Sequence, residues 1–131
     1  MRKSALLALS TAVVTGVAIA QTTAPQFVTI KSGDMLSSNV VNVDIYDTQN
    51  NDIGTIKDVA FDGSKNLKAY IVSVGGFLGL GTRYVAVDPA SVKVKYDTND
   101  KKWHANMNAT KDELKNAPEF KYEGEWNAGK S

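Results

Sequence analysis

Ile53-Gly54-Thr55-Ile56-Lys57-Asp58-Val59-Ala60-Phe61, then Asp62-Gly63-Ser64-Lys65-Asn66, then Leu67-Lys68-Ala69-Tyr70-Ile71-Val72-Ser73-Val74 form one unbroken stretch whose reading decides the fold. The first run is rich in β-branched and aromatic residues and places Thr55, Lys57, Val59 and Phe61 on one face. Gly54 sits where a bend is needed. The five residues 62–66 are turn formers, so a hairpin is predicted. The third run is apolar on both faces at Tyr70-Ile71-Val72, which is the pattern of a central strand.

The same grammar extends in both directions. Asn42 to Tyr46 reads as a strand ended by the turn cluster Asp47-Thr48-Gln49-Asn50-Asn51-Asp52. Tyr84 to Val87 is another, followed by Pro89 as punctuation. Val92, Val94 and Tyr96 alternate with Lys93 and Lys95, a half-buried strand. Asp97-Thr98-Asn99-Asp100 then turns the chain into Trp103, Ala105 and Met107, which alternate with His104, Asn106 and Asn108. Short runs separated by turns predict a mostly β domain, a sandwich or a barrel. One helix is predicted near the C-terminus. Thr110 with Glu113 fits the capping box, Asp112 and Glu113 suit the positive end of the helix dipole, and the helix stops before Pro118. Asn108-Ala109-Thr110 matches a glycosylation sequon, but it reads more simply as this helix's cap. No internal repeat or low-complexity tract is present.

The N-terminus carries a different signal. Arg2 and Lys3 precede an uncharged run of small and apolar residues from Ala5 to Ala20, and Ala18 and Ala20 are the small residues a signal peptidase accepts before Gln21. A spanning helix needs about 20 apolar residues, and this run is shorter and diluted by Ser10, Thr11, Thr15 and Gly16. Residues 1–20 are expected to be a cleaved signal peptide, with no stable membrane insertion afterwards and a periplasmic or secreted product. Residues 21–38, rich in Thr, Ser and Gln, read as a flexible lead-in with a short extended piece at Phe27-Val28-Thr29-Ile30.

Composition narrows the chemistry. Cleavage would leave 111 of the 131 residues, enough for one domain. There is no Cys, so disulfides, thiol catalysis and thiolate metal sites are excluded. Lys plus Arg number 15 against 14 Asp plus Glu, and loss of Arg2 and Lys3 leaves one net negative charge. That balance builds no basic field for nucleic acid.

Against this background the chain resembles the PRC-barrel family. Ile53-Gly54-Thr55-Ile56-Lys57-Asp58-Val59-Ala60-Phe61-Asp62 is similar to its opening strand. Ala69-Tyr70-Ile71-Val72-Ser73-Val74-Gly75-Gly76-Phe77-Leu78-Gly79-Leu80-Gly81 is similar to its glycine-rich segment. Tyr84-Val85-Ala86-Val87 and Thr110 to Phe120 also resemble exported members. The resemblance covers about residues 36–120 and implies a small antiparallel β-barrel of five to six strands with one short C-terminal helix. The domain is placed at 39–120, with 121–131 as a tail. Barrels of this family occur in the photosynthetic reaction centre and in a ribosome-maturation factor. The resemblance implies a docking module without catalytic residues, and no ligand-binding residue set transfers with it.

Each candidate functional residue also has a structural explanation. Gly76, Gly79 and Gly81 run G-x-x-G-x-G into a strand, not a helix, so no phosphate cradle is expected. Phe77, Leu78 and Leu80 are apolar where a turn is normally polar. They either plug the barrel or form a contact patch, and Phe77 or Leu80 is expected to serve partner docking or self-association. Phe120, Tyr122 and Trp126 form an aromatic tail that either lies back on the domain or meets a partner, so Trp126 joins the partner-contact candidates. His104, the only histidine, lies on the polar face of its strand without visible co-ligands. The turns at Asp47–Asp52 and Asp97–Asp100 lack calcium-loop spacing. Ser73 has no nucleophile elbow. A carboxylate pair could be drawn from Asp44, Asp58, Asp62 and Asp88 only by the fold, with Asp58 and Asp88 placed within or beside apolar strand residues. The expectation is therefore no catalytic residue, no cofactor and no metal. The expected role is docking to an envelope protein or to a second copy of the chain. A small-ligand carrier using the barrel interior, or an enzyme of unrecognised type, is the alternative.

Overall fold

The computed structural model describes residues 24–75 and 81–127. The chain divides into two units, Met1–Lys31 and Ser32–Ser131. Residues 24–31 of the first carry no helix or strand, including the stretch expected to be extended at Phe27 to Ile30. The predicted signal peptide with Ala18, Ala20 and Gln21, and the loop residues Phe77, Leu78 and Leu80, lie outside the described residues.

The second unit carries a short helix α1 (Ser37–Val40), which straddles the expected boundary between the lead-in (21–38) and the domain (39–120), and six strands follow. They are β1 (Asp44–Tyr46), β2 (Asp52–Phe61), β3 (Leu67–Val74), β4 (Arg83–Val87), β5 (Val92–Asp97) and β6 (Lys102–Met107), and helix α2 (Lys111–Lys115) comes after them. The sheet order is β4-β3-β2-β1-β6-β5. The predicted hairpin β2–β3 is its antiparallel centre, with Ile56 opposite Val72 and Val59 opposite Tyr70.

Two features correct the expectation of a wholly antiparallel barrel. β1 and β6 pair in parallel, Ile45 with Ala105, so the sheet is mixed. The cause lies between β4 and β5. Asp88 caps a 3-10 turn, Pro89–Ser91, by accepting from Ala90 N–H at 2.9 Å. This turn is a corner and not a hairpin, so β5 keeps the sense of β4 and β6 arrives running with β1. The ladder is also open, with β4 and β5 as its ends. Even so, Val87 and Val92 lie five residues apart, at most ~17 Å of chain. Five strand spacings in a flat sheet would need about 24 Å. The sheet therefore curls strongly without closing its ladder.

The curl wraps a core in which Ile45, Ile53, Ile56, Val72, Val74 and Val85 are fully buried, joined by Val40, Tyr70, Val87, Val92, Ala105 and Leu114. Each large apolar side chain among them is worth roughly 1.5–3 kcal/mol of burial. The interior is thus filled by the domain's own residues.

Bulges in β2 redirect its side chains. The β2–β3 register shifts between Ile56 and Asp58, so Asp58 stands opposite Ile71 while Val59 stands opposite Tyr70. One extra residue exchanges the two faces downstream of it. Thr55, Lys57, Val59 and Phe61 therefore do not share a face: Val59 packs on the core, and Phe61 ends 60% exposed.

Candidate functional site

The C-terminal segment folds back across the outer face of β2-β3-β4, and the contacts that hold it are specific. Thr110 Oγ1 accepts from Glu113 N–H and the Glu113 carboxylate accepts from Thr110 N–H, so both halves of the predicted capping box start α2. Leu114 anchors the helix in the core. At the helix's end, Arg83 donates through its two terminal nitrogens to the Lys115 and Ala117 carbonyls, satisfying groups a helix terminus leaves open. Phe120 N–H then donates to Tyr84 O at 2.7 Å, a single bridge along the free edge of β4.

Beyond this bridge the aromatic residues interlock. The Tyr122 ring meets Tyr84 edge-on at 5.1 Å and Phe120 at 5.0 Å, and Trp126 lies 5.6 Å from Phe120. Tyr122 hydroxyl donates to Asp58 Oδ2 at 3.1 Å, and Asp58 Oδ1 accepts from Val59 N–H. Burial first, then the Asp58 charge and hydrogen bond, push the Tyr122 hydroxyl well above the ordinary tyrosine range. It therefore stays a donor to the carboxylate.

Between tail and sheet lies an open groove of about 810 Å³. Ala60, Ala69, Ile71 and Ala86 line it with small apolar side chains, and Phe61 and Trp126 also border it. Lys57 and Lys68 stand against Asp58 and Glu125 on its walls, so no charge sign dominates. Phe61 also borders a second, apolar recess of about 210 Å³ with Met35, Leu36, Val40, Leu67 and Tyr70. Met35, Leu36, Phe61 and Leu67 are 42%, 48%, 60% and 37% exposed. Together they form an apolar surface around the β2–β3 hairpin. An exposed cluster of this kind marks contact surfaces more often than scattered single residues do.

The family model of the PRC-barrel domain matches residues 32–114. The chain belongs to the PRC-barrel domain family. A comparison with curated proteins gives no significant match. Within this PRC-barrel chain the matched region runs from before α1 to Leu114, and the aromatic tail lies beyond it.

Trp126 is 56% exposed and borders the groove while packing on Phe120, so the tail lies back on its own domain and still presents a ring outward. The apolar surface around Phe61 gathers at the Leu67 end of β3. The next described strand is β4, from Arg83, and the glycine-rich residues 76–80 lie outside the described residues. Of the four carboxylates, Asp62 accepts from Ser64 and Asn66 N–H and Asp88 caps its 3-10 turn, both local roles. Asp44 accepts from the Thr55 hydroxyl at 2.8 Å. Its charged neighbour is Asp52, whose carboxyl is raised first by burial and then by Asp44. Ser73 donates to Thr55 O within the sheet. His104 does not stand alone, because the β5–β6 hairpin brings Asp97 and Asp100 to it. Among the described residues no helix is long and apolar enough to cross a membrane.

Proposed function

We propose that this PRC-barrel domain is an exported, periplasmic or secreted docking module without catalytic activity, binding an envelope protein or a second copy of itself. The observation that carries the reading is the exposed apolar surface of Met35, Leu36, Phe61 and Leu67. The sheet edges favour docking by this face over strand addition. β5 presents Lys93 and Lys95 along its open edge, a familiar guard against edge pairing. β4 carries the Phe120 bridge on its own edge. We read the curled, open sheet as the family's barrel with its β4–β5 seam unlaced.

A ligand carrier is the second reading, and it moves from the barrel interior, which is filled, to the outer groove, whose size suits a small molecule. Sedimentation velocity of the wild type and of Phe61→Asp over a concentration series tests self-association. The reading as a second-copy interface expects a concentration-dependent dimer that Phe61→Asp abolishes. A wild-type monomer throughout eliminates the second copy and leaves a heterologous partner.

A further inference from the structure

The β5–β6 hairpin gathers three metal-ligating side chains that the docking surface does not use. His104 Nε2 lies 2.6 Å from Asp100 Oδ2 and 4.0 Å from Asp97 Oδ2, and the three ligand atoms all lie within 4.8 Å of one another. The hairpin register explains the convergence. Asp97 pairs with Lys102 and Lys95 with His104, so Asp97 and His104 are diagonal neighbours on one face. Asp100 reaches the same point from the turn, four residues before His104.

Each carboxylate is held by its other oxygen. Asp97 Oδ1 accepts from Asn99 N–H at 2.8 Å and Asp100 Oδ1 from Lys102 N–H at 3.0 Å, so both Oδ2 atoms face the imidazole.

We propose that Asp97, Asp100 and His104 form a surface site for a borderline divalent transition ion, with zinc as the test ion. Zinc takes imidazole nitrogen and carboxylate oxygen at ~2.0–2.2 Å, which sets adjacent ligand atoms ~3–3.5 Å apart. The separations of 2.6 and 4.0 Å bracket that range, and all three residues are exposed enough to adjust. The imidazole selects against calcium and magnesium, which prefer all-oxygen shells. Two carboxylates and a neutral imidazole balance the ion's charge. Lys95 and Lys102, paired across the hairpin with His104 and Asp97, oppose it and weaken the site. Three protein ligands leave coordination positions for water or for a donor from another molecule.

The test is titration of zinc alone into the untagged full chain at neutral pH, by calorimetry and by the ring resonances of His104. As the only histidine, it gives one unambiguous set of signals. One ion per chain, saturable, with His104 Nε2 shifted as the ligating atom, is expected. His104→Gln should abolish binding, and Asp97→Asn and Asp100→Asn should each weaken it by about tenfold or more. The Asn variants keep an Oδ1 acceptor for the turn, so the hairpin survives them. Absence of saturable binding, binding that leaves the His104 resonances unmoved, or full affinity in the Asp97→Asn/Asp100→Asn double variant would each overturn the proposal.

Discussion

Gly54→Ala should destabilise the domain through one close approach. A Cβ at Gly54 would sit 2.8 Å from Val72 Cγ1 and 2.9 Å from Ser73 O. Carbon pairs prefer about 3.5–4.0 Å, so the carbon contact falls short by roughly 0.7 Å. Neither neighbour can yield: Val72 is fully buried and the Ser73 oxygen belongs to the backbone of β3. Relief requires β2 and β3 to part at the centre of the sheet. Overpacking of this kind costs about 1–3 kcal/mol, offset by about 0.4–1 kcal/mol from the stiffer unfolded chain. A net loss of about 1–2 kcal/mol lowers Tm by roughly 4–8 °C per kcal/mol in a domain of this size. Gly63→Ala is the control, since nothing lies within 4 Å of its added Cβ and its φ is not left-handed. It gains the unfolded-state term alone and should leave Tm unchanged or slightly raised. Thermal unfolding followed by circular dichroism decides the matter. Equal Tm values for the two variants would refute the reasoning.

Thr110→Ala removes the acceptor for Glu113 N–H and should cost about 1 kcal/mol in urea unfolding, whereas Thr110→Ser should cost little. Arg83→Ala leaves the Lys115 and Ala117 carbonyls without their donor, so hydrogen exchange should accelerate in α2 and the tail before it does in β2 and β3. Tyr122 holds its proton more tightly in the folded chain than the ordinary value of about 10. Its contribution to stability is therefore complete below about pH 10 and is lost as pH rises beyond it. In an alkaline absorbance titration of the five tyrosines, Tyr122 and the buried Tyr70 should ionise last, and Tyr122→Phe should remove part of that late change. An unchanged late amplitude would contradict the Asp58 contact.

What was legible in the sequence was local. The β2–β3 and β5–β6 hairpins and the capped helix follow from alternation, turn residues and the Thr110–Glu113 pair, all within a few residues of one another. The bulge at Lys57 carries no such mark, and it alone moves Val59 to the core face and separates it from Thr55. Helix α1 has four residues and no side-chain cap, so no signal announces it. The parallel β1–β6 pairing depends on whether the Pro89 turn is a corner or a hairpin, and punctuation does not distinguish them. The His104 cluster was within reach: Asp97, Asp100 and His104 are each visible, and writing out the hairpin register places two of them diagonally. The apolar surface around Phe61 was hidden because Phe61 reads as one more inward strand residue and Met35 and Leu36 as part of a lead-in.

The central claim is that the face around Phe61 is where this module meets its partner. Site-specific photo-crosslinking in the producing cell, with the photoreactive residue at position 61 and in parallel at Lys93 on the β5 edge, tests it directly. The account predicts a discrete covalent adduct from position 61, identified by mass spectrometry as one protein or as a second copy, and none from position 93. No adduct from position 61, or the same adducts from both positions, would contradict it.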